Sequence, residues 1–225
     1  MEIADVSKSF PDDLRAYLAS RLLTFPMLGL LALLLSAAWI PSLPQNIPVI
    51  GLQIALAIVL TSMFRLWDDL ADLSQDRIEH PDRVLSGTAH KKSFQRCCIL
   101  LGATALVLLL SSGNLQTSIG FACLTILMVL FYKLPWRDAW PRVSYHLLML
   151  KYPCFVLLIS TCDHRTLDSS DSSRLILALL VYLLLCIYEV LHDPALRSDA
   201  RCRQIAGIEL VSAAGLVAFS LTTIQ

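Results

Sequence analysis

Asp68, Asp69, Asp72 and Asp76 stand directly after an apolar run, in the stretch RLWDDLADLSQD. Offsets of three, four and seven residues put side chains on one helical face. On a helix, Asp69, Asp72 and Asp76 therefore form a carboxylate stripe, with Asp68 one turn before Asp72. Like charges at that spacing repel and weaken a bare helix, so a cation is expected to offset them. Carboxylates are hard oxygen donors of the kind that Mg²⁺ takes together with water and substrate phosphates. Arg65, Arg77 and Arg83 flank the cluster and admit two readings. They contact the same phosphates, or they pair with the aspartates in a solvated acidic helix that carries no chemistry.

The elements that position these residues follow from composition. The chain has 225 residues, is 56% hydrophobic and only 16% charged, with mean hydropathy +0.65. That is too apolar for a soluble globule and implies an all-α bundle of transmembrane helices, read here as one domain over residues 1–225. A formal net charge of zero gives no basic signature for nucleic acid. The seven cysteines are scattered without a CxxC pair, and only Cys97 and Cys98 adjoin. Neither a structural zinc site nor a disulfide scaffold is expected from that spacing, and the cysteines read as small buried hydrophobes. The polar, mixed-charge first twenty residues do not read as a cleavable signal peptide.

Seven apolar runs are expected to cross the bilayer: Leu22–Ile40, Ile47–Leu66, Cys97–Ser112, Leu115–Tyr132, Val143–Thr161, Leu175–His192 and Ile205–Thr223. The runs do not alternate, and only helices or closed barrels satisfy the backbone in lipid, so helices are predicted. The loops on the N-terminal side, with their flanks, carry 15 basic residues and the opposite loops carry 2, Arg165 and Arg174. The positive-inside bias then places the N-terminus and the aspartate cluster in the cytoplasm. Lys151 lies inside a span, where an ionisable residue faces a cavity or snorkels. His146, alone on an apolar helix, reads as a packing residue. Asp163, His164, Asp168 and Asp171 read as a solvated loop on the other side.

The first acidic segment resembles a family motif. DDLADLSQD followed by HPDRVLSG is similar to the first motif of the UbiA-type intramembrane prenyltransferases, an Asn-Asp-x-x-Asp-x-x-x-Asp with a Pro-x-Arg-Pro-like segment and a Ser-Gly behind it. Asp69, Asp72 and Asp76 match the three motif aspartates. Asp68 stands where the family has asparagine, and Val84 replaces the second proline, while Pro81, Arg83, Ser86 and Gly87 continue the match. Tyr188 to Asp193 resembles a worn second acidic motif, with Glu189 and Asp193 on one helical face. Leu196 occupies the place of a further aspartate, Asp199 falls elsewhere, and Pro194 ends the helix. An ordinary helix terminus is the competing reading. Tyr132, Lys133 and Arg137 resemble the family's diphosphate-holding tyrosine and basic residues, although such residues are also common at any membrane interface. The family has nine helices, so this chain reads as about two short.

The resemblance implies a Mg²⁺-dependent enzyme acting on an isoprenyl diphosphate within membrane lipids. Asp68, Asp69, Asp72 and Asp76 bind metal from one side, and Glu189 and Asp193 from the other. Arg83, Lys133 and Arg137 neutralise phosphate oxygens, and the apolar helices surround a cavity that holds the isoprenoid tail. Capture of the allylic cation by an aromatic or lipid acceptor makes the protein a prenyltransferase. Capture by the chain's own double bonds makes it a UbiA-type terpene cyclase. A catalytically inactive, lipid-binding homologue is the third reading, supported by the altered second motif.

Overall fold

The computed structural model describes residues 9–133, 141–161 and 170–223, and no strand occurs among them. The helices are α1 (Phe10–Tyr17), α2 (Phe25–Trp39), α3 (Ile47–Ala71), α4 (Leu73–Glu79), α5 (Val84–Gly87) and α6 (Lys91–Ser111). They continue with α7 (Leu115–Lys133), α8 (Pro141–Met149), α9 (Lys151–Ser160), α10 (Ser170–His192), α11 (Pro194–Ser198) and α12 (Ala200–Thr223). Proline sets many of these starts. Pro11, Pro26, Pro48, Pro141 and Pro194 each occupy the first or second helical residue, where the missing N–H was unpaired anyway.

Six segments are long and apolar enough to cross a membrane: Ile47–Ala71, Lys91–Ser111, Leu115–Lys133, Val143–Ser160, Ser172–His192 and Ala200–Ser220. The span expected at Leu22–Ile40 takes a different form. An amphipathic stretch, Phe10–Leu22, meets α2 at a bend of 63°, and the pair counts as a seventh span only if taken together. Alone, the 15 residues of α2 reach about 22 Å, short of a hydrocarbon core of about 30 Å. The bend follows from composition. Residues 10–22 mix Asp12, Asp13, Arg15 and Arg21 with apolar positions, whereas α2 is apolar throughout.

The chain divides into two compact units, Met1–Ala32 with Ala55–Leu108 and Leu33–Ile54 with Leu109–Gln225. In the first, Tyr17, Leu66, Leu85 and Phe94 form a buried core. Phe94 takes edge-on contacts from Phe10 and Tyr17, with centroids 5.4 and 5.5 Å away, which seats α1. In the second, Tyr145, Met149, Cys186, Val190, Cys202 and Ala206 pack α8, α10 and α12 together. Gln53 ties this unit across three elements. It accepts from Trp39 Nε1 at 2.8 Å and donates to the Ile159 carbonyl at 3.0 Å. A buried amide inside a membrane bundle needs such partners because lipid offers none.

The tight SSGN turn between α6 and α7 rests on one residue. Gly113 has φ 73°, in the left-handed region, and its N–H donates to the Leu110 carbonyl at 3.0 Å. Asn114 then caps α7, its Oδ1 accepting from Gln116 N at 3.0 Å. Gly113→Ala is expected to lower stability by about 1 kcal/mol, the cost of placing a Cβ in that region. Thermal unfolding of the detergent-solubilised chain measures it, and an unchanged midpoint would contradict the assigned turn.

Candidate functional site

The aspartate cluster does not lie on one uninterrupted helix. α3 ends at Ala71, and Asp72 (φ −86°, ψ 1°) separates it from α4. Gln75 N and Asp76 N both donate to the Asp72 carbonyl, at 3.0 and 2.9 Å, so α4 restarts on that residue. Aspartate suits such a helix start better than a helix interior, and the break relaxes the like-charge stack expected from the spacing. The i, i+7 pair nevertheless meets on one side. Asp69 and Asp76 are both buried and line one cleft, whereas Asp68 and Asp72 are half-buried and are not among its lining residues.

Guanidinium groups reach both buried carboxylates. Asp69 Oδ2 accepts from Tyr17 Oη at 2.9 Å and from Arg21 Nε at 3.0 Å. Its Oδ1 pairs with Arg21 Nη2, and Arg65 Nη2, one turn earlier on α3, lies 3.7 Å away. Tyr17 and Arg21 reach the same carboxylate because Leu18–Leu22 continues α1 as a π turn. Asp76 Oδ1 pairs with Arg83, the residue just before α5. Charge-assisted and two-pronged bonds of this kind are the strong ones. The cleft between these groups has a volume of about 370 Å³, and His80, Asp82, Val84 and Leu85 complete most of its wall. Within the same unit, Arg65 Nε and Ser86 Oγ are buried without a hydrogen-bond partner.

The donor set fits a hard divalent cation carrying an anion. Two carboxylates supply oxygen ligands, and arginines supply anion donors around a space large enough for a diphosphate.

The second acidic segment belongs to the other compact unit. Glu189 is half-buried near the end of α10. Asp193 caps α11, its Oδ1 accepting from Ala195 N at 2.7 Å. Asp199 does the same for α12, accepting from Arg201 N at 2.9 Å. Two aspartates of this segment thus have capping work, the ordinary use of the residue before a helix. Lys133 is the exposed last residue of α7, and Arg137 lies outside the described residues. Asp163, His164 and Asp168 also lie outside them. Lys151 is 1% exposed at the start of α9, with Nζ 5.3 Å from the Tyr152 ring, so it is a buried residue.

Three residues that matter here escape the sequence reading. Tyr17 and Arg21 read as part of a polar leader, although an amphipathic stretch with acidic residues in its first turn was the available signal. Glu209 is a carboxylate inside the last span, and any acid within a span is a candidate functional group. His146 is not an isolated packing residue, since its Nδ1 lies 3.4 Å from Glu209 Oε1.

No known protein family, curated protein or solved structure matches this chain.

Removing Arg21 leaves the buried Asp69 with the Tyr17 hydroxyl and, 3.7 Å away, the Arg65 guanidinium. Arg21→Met is expected to destabilise the protein by about 2–3 kcal/mol, at or below the range for breaking a buried pair because the Arg21 side chain keeps 21% of its surface. Tyr17→Phe removes one hydrogen bond and should cost about 1 kcal/mol. Denaturation midpoints check both, and equal losses would show that Arg21 is no more important than Tyr17.

Proposed function

We propose that this chain is an intramembrane enzyme that ionises an isoprenyl diphosphate and transfers the prenyl group to an aromatic or lipid acceptor. The observation that carries the reading is the cleft in which Asp69 and Asp76 meet Arg21 and Arg83 beside the end of an apolar span. The motif resemblance in the same residues supports it.

In this reading Asp69 and Asp76 hold Mg²⁺, with Asp68 and Asp72 adjoining. Once bound, Mg²⁺ supplies charge stabilisation for the departing diphosphate. Arg21 and Arg83 exchange a carboxylate partner for a phosphate one, so that neither guanidinium is left buried without an anion. As the allylic C–O bond breaks, both electrons leave with the diphosphate oxygen, and the arginines meet the growing charge. Val84 and Leu85 give the cleft an apolar side, which keeps water from the cation. Glu189, Asp193, Lys133 and Arg137 enter this reading through the sequence resemblance only. The cytoplasmic orientation rests on the basic-residue bias and is testable with reporter fusions at the N-terminus.

A UbiA-type terpene cyclase would use the same first step without an acceptor. A non-catalytic lipid-binding protein has its own supporting observation, because both oxygens of Asp69 already have protein partners.

The test is diphosphate release by the purified chain in detergent, with Mg²⁺ and geranyl, farnesyl or geranylgeranyl diphosphate. Release that requires a lipid or aromatic acceptor is the expected result. Hydrocarbon or terpene alcohol formed without acceptor identifies the cyclase. Asp76→Asn and Arg83→Met should each lower the rate at least 100-fold, as loss of a transition-state contact does. Folded protein that releases no diphosphate under any condition overturns the enzyme reading.

A further inference from the structure

Three side chains from three helices converge inside the second unit, at a place that the proposed diphosphate chemistry does not use. His146 of α8, Cys186 of α10 and Glu209 of α12 each offer a ligand atom, and these atoms all lie within 4.8 Å of one another. His146 Nδ1 is 3.5 Å from Cys186 Sγ and 3.4 Å from Glu209 Oε1. Cys186 and Glu209 are buried, at 0% and 6% exposure. Cys186 sits six residues before the end of α10 and Glu209 nine residues after the start of α12, about 9 and 14 Å along their helices. The three residues thus lie in three candidate membrane spans, Val143–Ser160, Ser172–His192 and Ala200–Ser220.

We infer that His146, Cys186 and Glu209 form a binding site for a borderline divalent metal ion, Zn²⁺ in the first instance. Distance is the first reason. Tetrahedral zinc with bonds of about 2.0 Å to nitrogen or oxygen and about 2.3 Å to sulfur has N···O edges of ~3.3 Å and N···S edges of ~3.5 Å. The measured separations, 3.4 and 3.5 Å, match both. As a hydrogen bond, by contrast, 3.4 Å between nitrogen and oxygen is long.

The second reason is an orphan. Glu209 Oε2 is buried with no hydrogen-bond partner. A carboxylate oxygen left without a donor inside an apolar bundle is costly, and a cation at the cluster would remove that cost. Charge balance is the third. Zn²⁺ with one thiolate, one carboxylate and a neutral imidazole sums to zero, the only net charge that a low-dielectric interior accepts cheaply. Binding would displace the Cys186 thiol proton to solvent. Imidazole, thiolate and carboxylate together select zinc over magnesium, which prefers oxygen alone. The Tyr182 hydroxyl lies 3.2 Å from the same Nδ1. No CxxC spacing announces the site, because its ligands come from separate helices.

The experiment uses the full chain in detergent. Zn²⁺ is titrated against a chromophoric chelator in excess Mg²⁺, and Co²⁺ is then added to metal-stripped protein. The expected result is one tightly held Zn²⁺ per chain and a thiolate-to-cobalt charge-transfer band. Cys186→Ser should abolish the band, and Glu209→Gln should weaken Zn²⁺ at least tenfold. Cys154→Ser should change neither. Size-exclusion profiles identify any variant that fails to fold, and the unsubstituted chain then decides by itself. Absence of stoichiometric Zn²⁺ on that chain, or a cobalt band that survives Cys186→Ser, overturns the inference. Asp76→Asn serves to keep the two sites apart. It should abolish diphosphate release and leave Zn²⁺ binding unchanged.

Discussion

The Asp69 carboxylate is the constraint on which the first compact unit depends. It sits at the end of an apolar span, 5% exposed, where water cannot meet its needs. A charge in that position must be paired and hydrogen-bonded or it is not tolerated. Tyr17 and Arg21 satisfy it from one element, and Arg65 approaches from α3 itself. To reach it, the leader must lie against α3, which is also where Tyr17 can pack on Phe94. The polar bond and the aromatic contact thus specify the same placement of α1. Agreement of this kind between levels selects one arrangement over its competitors.

The second unit meets the same low dielectric with other devices. Gln53 is sandwiched between an indole N–H and a main-chain carbonyl, so both ends of its amide are used. Lys151 is buried at the start of α9, and Glu209 is buried against His146. Each of these groups would be unremarkable on a soluble surface. Within spans, each requires a partner, and those of Gln53 and Glu209 lie on other helices. Polar side chains therefore report which helices are neighbours more sharply than the leucines between them. Leu and Ile pack against lipid as readily as against protein.

The two acidic segments show how far spacing determines role. In the first, a seven-residue offset brought Asp69 and Asp76 to one cleft, and arginines from both flanks came with them. In the second, the four-residue offset predicts Glu189 and Asp193 on one helical face, but α10 ends at His192 and Asp193 caps α11. The difference lies in the chain that follows. After Asp76 the chain continues through a short loop to α5, so Arg83 can turn back to it. After Asp193 it enters another helix immediately, whose free N–H groups claim the carboxylate.

Helical class, six of the seven expected long apolar segments and the tight SSGN turn follow from the sequence by itself. Periodicity and the bilayer's intolerance of unpaired backbone leave few alternatives. Of the expected acidic stripe, the meeting of Asp69 and Asp76 was legible from their seven-residue offset, whereas Asp72 falls at the break between α3 and α4. Only the tertiary structure decided what answers those carboxylates. Arg21 lies 48 residues from Asp69, and Cys186 lies 40 from His146. Contacts at such separations depend on how helices dock, which local spacing does not encode. The break at Asp72 was likewise beyond reach of the pattern, because a single residue's ψ near zero leaves hydrophobic periodicity on either side intact. Local geometry determined which residues face together within one helix, and docking determined which helices bring them partners.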